Sequence, residues 1–178
     1  MKQKTIGFFC HHCFTPIIRT IKKEDLIEHR RIFDEGLSIS IHYSVVCPKC
    51  MYSSNWEEYL DPNITPALAL LNCKGYKTYC SCEGHGNRGD AYILFENDAL
   101  STLHIDMRMN PWYIEQNANY ITVGYPDDKK VNAFCIRCDI KYPLQYRMSA
   151  LNKWVDSLPF YKDISMELMN GGHSGFYS

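Results

Sequence analysis

Two pairs of cysteines carry the most specific chemistry in this chain, Cys10 and Cys13 in CHHC and Cys47 and Cys50 in CPKC. A Cys-x-x-Cys turn delivers two thiolates from one tight loop whose backbone amides can point at the sulfurs, and two such turns complete the tetrahedron that zinc prefers. The sequence therefore predicts one structural zinc site with Cys10, Cys13, Cys47 and Cys50 as ligands. His11 and His12, between the first two cysteines, are expected to face solvent because four thiolates already fill the shell. A closed shell has no position for a hydrolytic water, so this centre organises or recognises and does not catalyse. Two unrelated free-cysteine pairs or a redox dithiol are the competing readings, and the dithiol would need a single pair opening a helix in a βαβ unit.

The second stretch with chemical content is the loop EGHGNRGD, which follows Cys80, Ser81 and Cys82. Strict alternation along Tyr76 to Cys82 would place Tyr76, Thr78, Cys80 and Cys82 on one face and Lys77, Tyr79, Ser81 and Glu83 on the other. Gly84, Gly86 and Gly89 allow backbone amides to converge on an anion, and Cys82, Glu83, His85, Arg88 and Asp90 form the candidate ligand-binding set. Four readings of the loop stay open. It is a polar hairpin connection, a binding element for a small anionic ligand or nucleic acid, a Cys82 nucleophile with His85 as base, or part of a second metal site. That last site would draw on Cys80, Cys82, His85, Cys135 and Cys138, since CIRC repeats the knuckle spacing.

The run LLNCKGYKTYCSCEGHGNRGDAYILF also resembles a pattern in small bacterial and phage zinc-ribbon proteins, GYKT-x-x-SC-x-GH behind a zinc-binding segment. That likeness covers about thirty residues and implies a fold context without a particular activity. The shorter T-x-x-S-C-x-G element, matched by Thr78, Ser81, Cys82 and Gly84, is similar to a strand motif of the wybutosine-synthesis methyltransferase family, which acts on transfer RNA. This second likeness implies a nucleic-acid-modifying activity. His85 stands where that family tends to have arginine.

The elements that must position these residues are read from hydropathy. Thr5 to Phe9 and Phe14 to Ile21 read as strands flanking the first knuckle, Lys22 to Glu35 as a helix stopped by Gly36, and Ser38 to Val46 as an alternating strand entering the second. Thr65 is expected to cap a short helix with Pro66 in its first turn, Leu68 and Leu71 inward and Gly75 as its stop. Strands are expected at Tyr76 to Cys82, Ala91 to Phe95, Thr102 to Met107, Asn119 to Gly124 and Val131 to Ile136. A helix capped by Ser149 should bury Leu151, Trp154, Val155 and Leu158, and a weaker one spans Asp163 to Met169. The fold class is α+β: residues 1–60 a zinc ribbon with a helical insert, and 61–178 a mainly antiparallel sheet with short helices.

The chain has 178 residues, 46% of them hydrophobic and 22% charged, with a formal net charge of -1. No global basic field would hold nucleic acid through its phosphates. A local patch is a separate matter, with Arg19, Lys22, Lys23, Arg30, Arg31, Lys129, Lys130, Arg137, Lys141 and Arg147 as candidates. Nine cysteines, six of them in Cys-x-x-Cys pairs, favour metal over disulfides and a reducing, cytoplasmic setting. No run approaches the length of a membrane span. The functional expectation is a zinc-binding recognition or regulatory module that meets its partner at SCEGH. The alternative is a nucleic-acid-modifying or cysteine-dependent enzyme built on Cys82 and His85.

Overall fold

The computed structural model describes residues 3–22, 43–56, 58–85, 90–95, 110–115, 119–121, 130–132 and 134–161. The helices expected at Lys22 to Glu35 and Asp163 to Met169, and the strand at Thr102 to Met107, lie outside these residues except for Lys22, which ends a strand. The architecture is α+β with antiparallel strand pairing, divided into two compact units, Met1–Ala69 and Leu70–Ser178. Among the described residues no helix is long and apolar enough to cross a membrane.

The first unit is built from two hairpins. Strand β1 (Gln3–Phe9) pairs with β2 (Pro16–Lys22), and β3 (Tyr43–Val46) pairs with β4 (Ser53–Trp56). Each hairpin carries one Cys-x-x-Cys turn at its tip. Their inward residues form one cluster of Ile6, Phe8, Ile17 and Val45 with the sulfurs of Cys10 and Cys47, flanked by Tyr43, Trp56 and Tyr59. Residues beyond β4 are tied to the first hairpin, since Gly7 and Leu60 exchange two backbone hydrogen bonds of 2.8 and 2.9 Å. Gly7 cannot be replaced quietly there, because a Cβ would fall 1.9 Å from Oγ1 of Thr65.

Helix α1 (Thr65–Cys73) leads from the first unit into the second. Thr65 was expected to cap it by accepting a backbone amide. Instead its hydroxyl donates to the Asp61 carbonyl at 2.8 Å and its amide reaches the same oxygen at 3.2 Å. The turn at 62–64 already continues into the helix, so the threonine bonds back by one turn. Leu68 and Leu71 are buried as the pattern required. At the far end Gly75 adopts φ +93°, its amide donates to Asn72, and the Tyr76 amide donates to Leu71. That double bond pattern is a Schellman stop, for which glycine is the favoured residue.

The second unit centres on a four-stranded antiparallel sheet in the order β5 (Thr78–Cys82), β6 (Ala91–Phe95), β10 (Phe134–Cys138), β7 (Trp112–Glu115). A separate hairpin pairs β8 (Asn119–Ile121) with β9 (Lys130–Asn132). The register puts Ala91, Ile93, Phe95, Ile136, Cys138 and Trp112 on one face, and all six are buried. The indole of Trp112 donates to the Arg147 carbonyl at 2.8 Å, which joins this face to helix α2 (Leu144–Ser157).

Helix α2 begins six residues earlier than expected, with Pro143 and not Ser149 at the cap position. Its buried stripe is Arg147, Met148, Leu151, Trp154 and Val155, with an arginine occupying a core position in the first turn. The end near Leu158 falls where the sequence placed it. There Lys74 is buried and its ammonium donates to the carbonyls of Val155, Asp156 and Leu158 at 2.8, 2.8 and 2.6 Å. A cation on the last carbonyls satisfies acceptors the helix cannot and complements its dipole.

Candidate metal centre and the SCEGH turn

The two cysteine turns repeat one another bond for bond. The amide of Cys10 donates to Thr15 at 3.0 Å and that of Cys47 to Tyr52 at 2.9 Å. Phe14 donates back to the Cys10 carbonyl at 2.9 Å and Met51 to that of Cys47 at 3.0 Å. Phe14 and Met51, each just after the second cysteine, take left-handed φ values of 55° and 61°. In both turns the amide two residues on donates to the first sulfur at 3.4 Å, from His12 to Cys10 and from Lys49 to Cys47.

The sulfurs of Cys10, Cys13, Cys47 and Cys50 all lie within 4.8 Å of one another, with Cys10–Cys50 and Cys13–Cys47 both at 3.6 Å. A tetrahedral ion with metal–sulfur bonds of about 2.3 Å requires sulfur–sulfur edges of roughly 3.8 Å, so the four are placed to hold a metal ion. Cys10 and Cys47 are fully buried and all four are free thiols. His11 and His12 are exposed, as their place in the knuckle predicted. The ring of His11 sits 4.6 Å from that of Trp56, and the resulting desolvation lowers its pKa. His12 stacks on Tyr52 at 5.4 Å.

Without an ion the thiols compete for charge. The Thr15 hydroxyl, 3.1 Å from Cys13, is the main cause holding that thiol down to about 6, with the Thr15 amide adding to it. Burial pushes Cys10 up, but the amides of Cys13 and His12 and the Cys50 thiol outweigh it and leave Cys10 lowered. Cys50 receives the Tyr52 amide, which favours its thiolate, yet burial and the three neighbouring sulfurs drive it up to about 12. Four thiolates cannot ionise together at this spacing, and a divalent cation removes the conflict.

The SCEGH turn is organised by a residue that the sequence reading placed only among the candidate basic-patch residues. The guanidinium of Arg147, 4% exposed, donates through Nη1 to the Glu83 carbonyl at 2.6 Å. Gly84 lies over it with φ +81°, where a Cβ would meet Nη1 at 2.7 Å and Ile140 at 2.8 Å. Only glycine fits this approach, so Gly84 serves the packing of the turn. The signal that would have revealed Arg147 is positional, since it stands three and four residues before Ala150 and Leu151 on the stripe that continues through Trp154.

The structure distributes the other candidates unevenly. Cys82 ends β5 half-buried, Glu83 is buried, His85 is exposed and Asp90 half-buried, while Arg88 lies outside the described residues. A ring nitrogen of His85 lies within 4.8 Å of the Cys82 sulfur. The expected alternation along this strand is broken by a bulge between Thr78 and Cys80. Thr78 pairs with Phe95 and Cys80 with Leu94, so Thr78 faces away from Cys80 and Cys82. Cys135 shares the face of Cys80, Cys82 and Tyr92, whereas Cys138 points to the opposite, buried face. The five-residue metal set of Cys80, Cys82, His85, Cys135 and Cys138 is therefore not assembled. Burial raises Cys138 to about 11 against the lowering field of Arg147, as suits a core thiol.

No family model, curated protein or solved structure matches the chain. Its chemistry is carried by its own geometry.

Proposed function

We propose that this protein is a zinc-binding recognition or regulatory module, with a zinc ribbon in its first unit and the SCEGH turn as the element that meets its ligand. The observation that carries this reading is the set of four sulfurs at tetrahedral spacing, two of them supported by amide donors from matching turns. Thiolate-only coordination favours zinc among the abundant divalent ions, and a closed shell assigns the ion to structure. Cysteines kept reduced for such a site support a cytoplasmic setting.

Three of the candidate basic residues of the second unit are committed within the fold, which weakens the case for a nucleic-acid patch there. There Arg147 is buried, Arg137 is paired with Glu115, and Lys141 is paired with Asp139 at 2.9 Å. Arg19 and Lys22 on β2 are exposed in the first unit. The cysteine-dependent alternative draws its support from the proximity of Cys82 and His85. The nucleic-acid-modifying alternative rests on the likeness of Thr78, Ser81, Cys82 and Gly84 to the transfer-RNA methyltransferase motif.

The zinc reading is tested by metal analysis of purified protein. One tightly held zinc per chain is expected, lost in Cys47→Ser together with protease resistance of the first unit, because metal binding is folding free energy for so small a core. Full zinc retention and unchanged proteolysis in that variant would overturn it.

A further inference from the structure

We propose that Cys82 and His85 supply two ligands of a second metal site, specific for a soft or borderline divalent ion of the zinc class and open to further ligands. Three observations converge on this pair. Cys82-Glu83-Gly84-His85 is a Cys-x-x-His segment, with the same spacing between donors as Cys10-x-x-Cys13 and Cys47-x-x-Cys50. Like both metal knuckles it stands at the end of a strand, here β5. The amide two residues beyond the cysteine, that of Gly84, donates to the Cys82 sulfur at 3.4 Å, the bond and distance seen from His12 to Cys10 and from Lys49 to Cys47.

An amide aimed at sulfur favours the thiolate, the form that binds metal. The backbone path differs in one respect, because Gly84 inside the segment is left-handed. Gly84 is locked in that conformation by Arg147 beneath it, and the Glu83 carbonyl is held by the same guanidinium. Arg147 is thus a positioning residue: it fixes the two peptide units between the donors, so the sulfur and the ring nitrogen are brought within 4.8 Å with little left to organise. Both donors remain reachable, since Cys82 is half-buried and His85 exposed. A thiolate with an imidazole suits zinc and its cobalt or cadmium substitutes and is poorly matched to calcium or magnesium.

The two donors of this segment leave coordination positions for further donors, whether protein groups, water or an anionic ligand. The four-thiolate centre lacks them, so the two sites divide into a closed one for structure and an open one for ligand capture. This deepens the reading of SCEGH as the recognition element and rests on it. Zinc content of the first site and uptake at the second are measured separately, so either reading can fail without the other.

The test is titration of the full chain with cobalt(II), which reports each thiolate ligand by its charge-transfer absorption. Two equivalents are expected. The tighter is abolished by Cys47→Ser, and the weaker by Cys82→Ser and, with a loss of roughly a hundredfold or more in affinity, by His85→Ala. Because His85 is exposed, its alanine variant reads the site without disturbing the core, and an unchanged denaturant midpoint of the second unit certifies folding. As a second readout, cadmium(II) should slow alkylation of Cys82 by iodoacetamide, followed by peptide mass, in the native chain and not in His85→Ala. Uptake of a single equivalent, or a second one undiminished in the Cys82→Ser/His85→Ala double variant, overturns the proposal.

Discussion

At the residue scale, the two knuckles show how the same backbone can be reached without its preferred residue. The position after the second cysteine is left-handed in both turns, yet it is filled by Phe14 and Met51. A residue with a Cβ costs about 1–2 kcal/mol in that region. Phe14 has a packing return, its ring lying 6.2 Å from Phe9, while Met51 is 73% exposed. Met51→Gly is therefore expected to stabilise the metal-loaded first unit by about 1 kcal/mol, and the corresponding Phe14→Gly to gain less or lose. Urea unfolding of the zinc-loaded variants checks this, and a destabilised Met51→Gly would show that the methionine makes a contact its exposure conceals. The cysteine spacing was legible because ligand number and turn length are local properties. The role of Gly84 was not, because the glycine answers to Arg147, more than sixty positions along the chain.

At the element scale, helix α2 shows where pattern reading stops. Its apolar residues Leu151, Trp154, Val155 and Leu158 were visible at helical spacing, and all are buried. Its first turns were missed because Arg147 occupies a core position there, and because Ser149, an exposed mid-helix residue, looks like a cap. The strand β5 was visible too, but not its bulge, which changes which side chains share a face. Lys74 is the sharper lesson, since no hydropathy pattern marks a lysine next to the Gly75 helix stop, yet it is buried against the end of α2. Lys74→Met keeps the stem and removes the ammonium, leaving three carbonyls without their shared donor. The expected loss is about 2–4 kcal/mol, from the charged hydrogen bonds and the helix dipole together. Denaturant midpoints followed by the helical circular dichroism signal measure it, and a loss below about 0.5 kcal/mol would mean that water replaces the ammonium without cost.

At the scale of the whole molecule, the two units hold themselves together by different means. The first has a small core in which two of the six central buried residues are metal-site cysteines, Cys10 and Cys47. Its two hairpins, β1–β2 and β3–β4, meet through those residues and a few aromatics. A two-stranded hairpin is marginal alone, so an ion held by the four sulfurs would substitute for the apolar surface that this unit lacks. The second unit has a four-stranded sheet, a fourteen-residue helix and an all-protein cap at Lys74. It needs no four-thiolate ion to close its core. Metal removal should consequently separate them. On treatment with a strong chelator under reducing conditions, amide protection is expected to collapse in β1 to β4, including the Gly7–Leu60 pair. Protection in β6, β10 and α2 should persist. Hydrogen exchange read by mass spectrometry resolves the two sets of peptides in one sample, and re-adding zinc should restore the first set. Simultaneous loss of protection in α2 would show that the units fold as one cooperative block, and unchanged protection in β1 and β3 would remove the ion from the account of stability altogether.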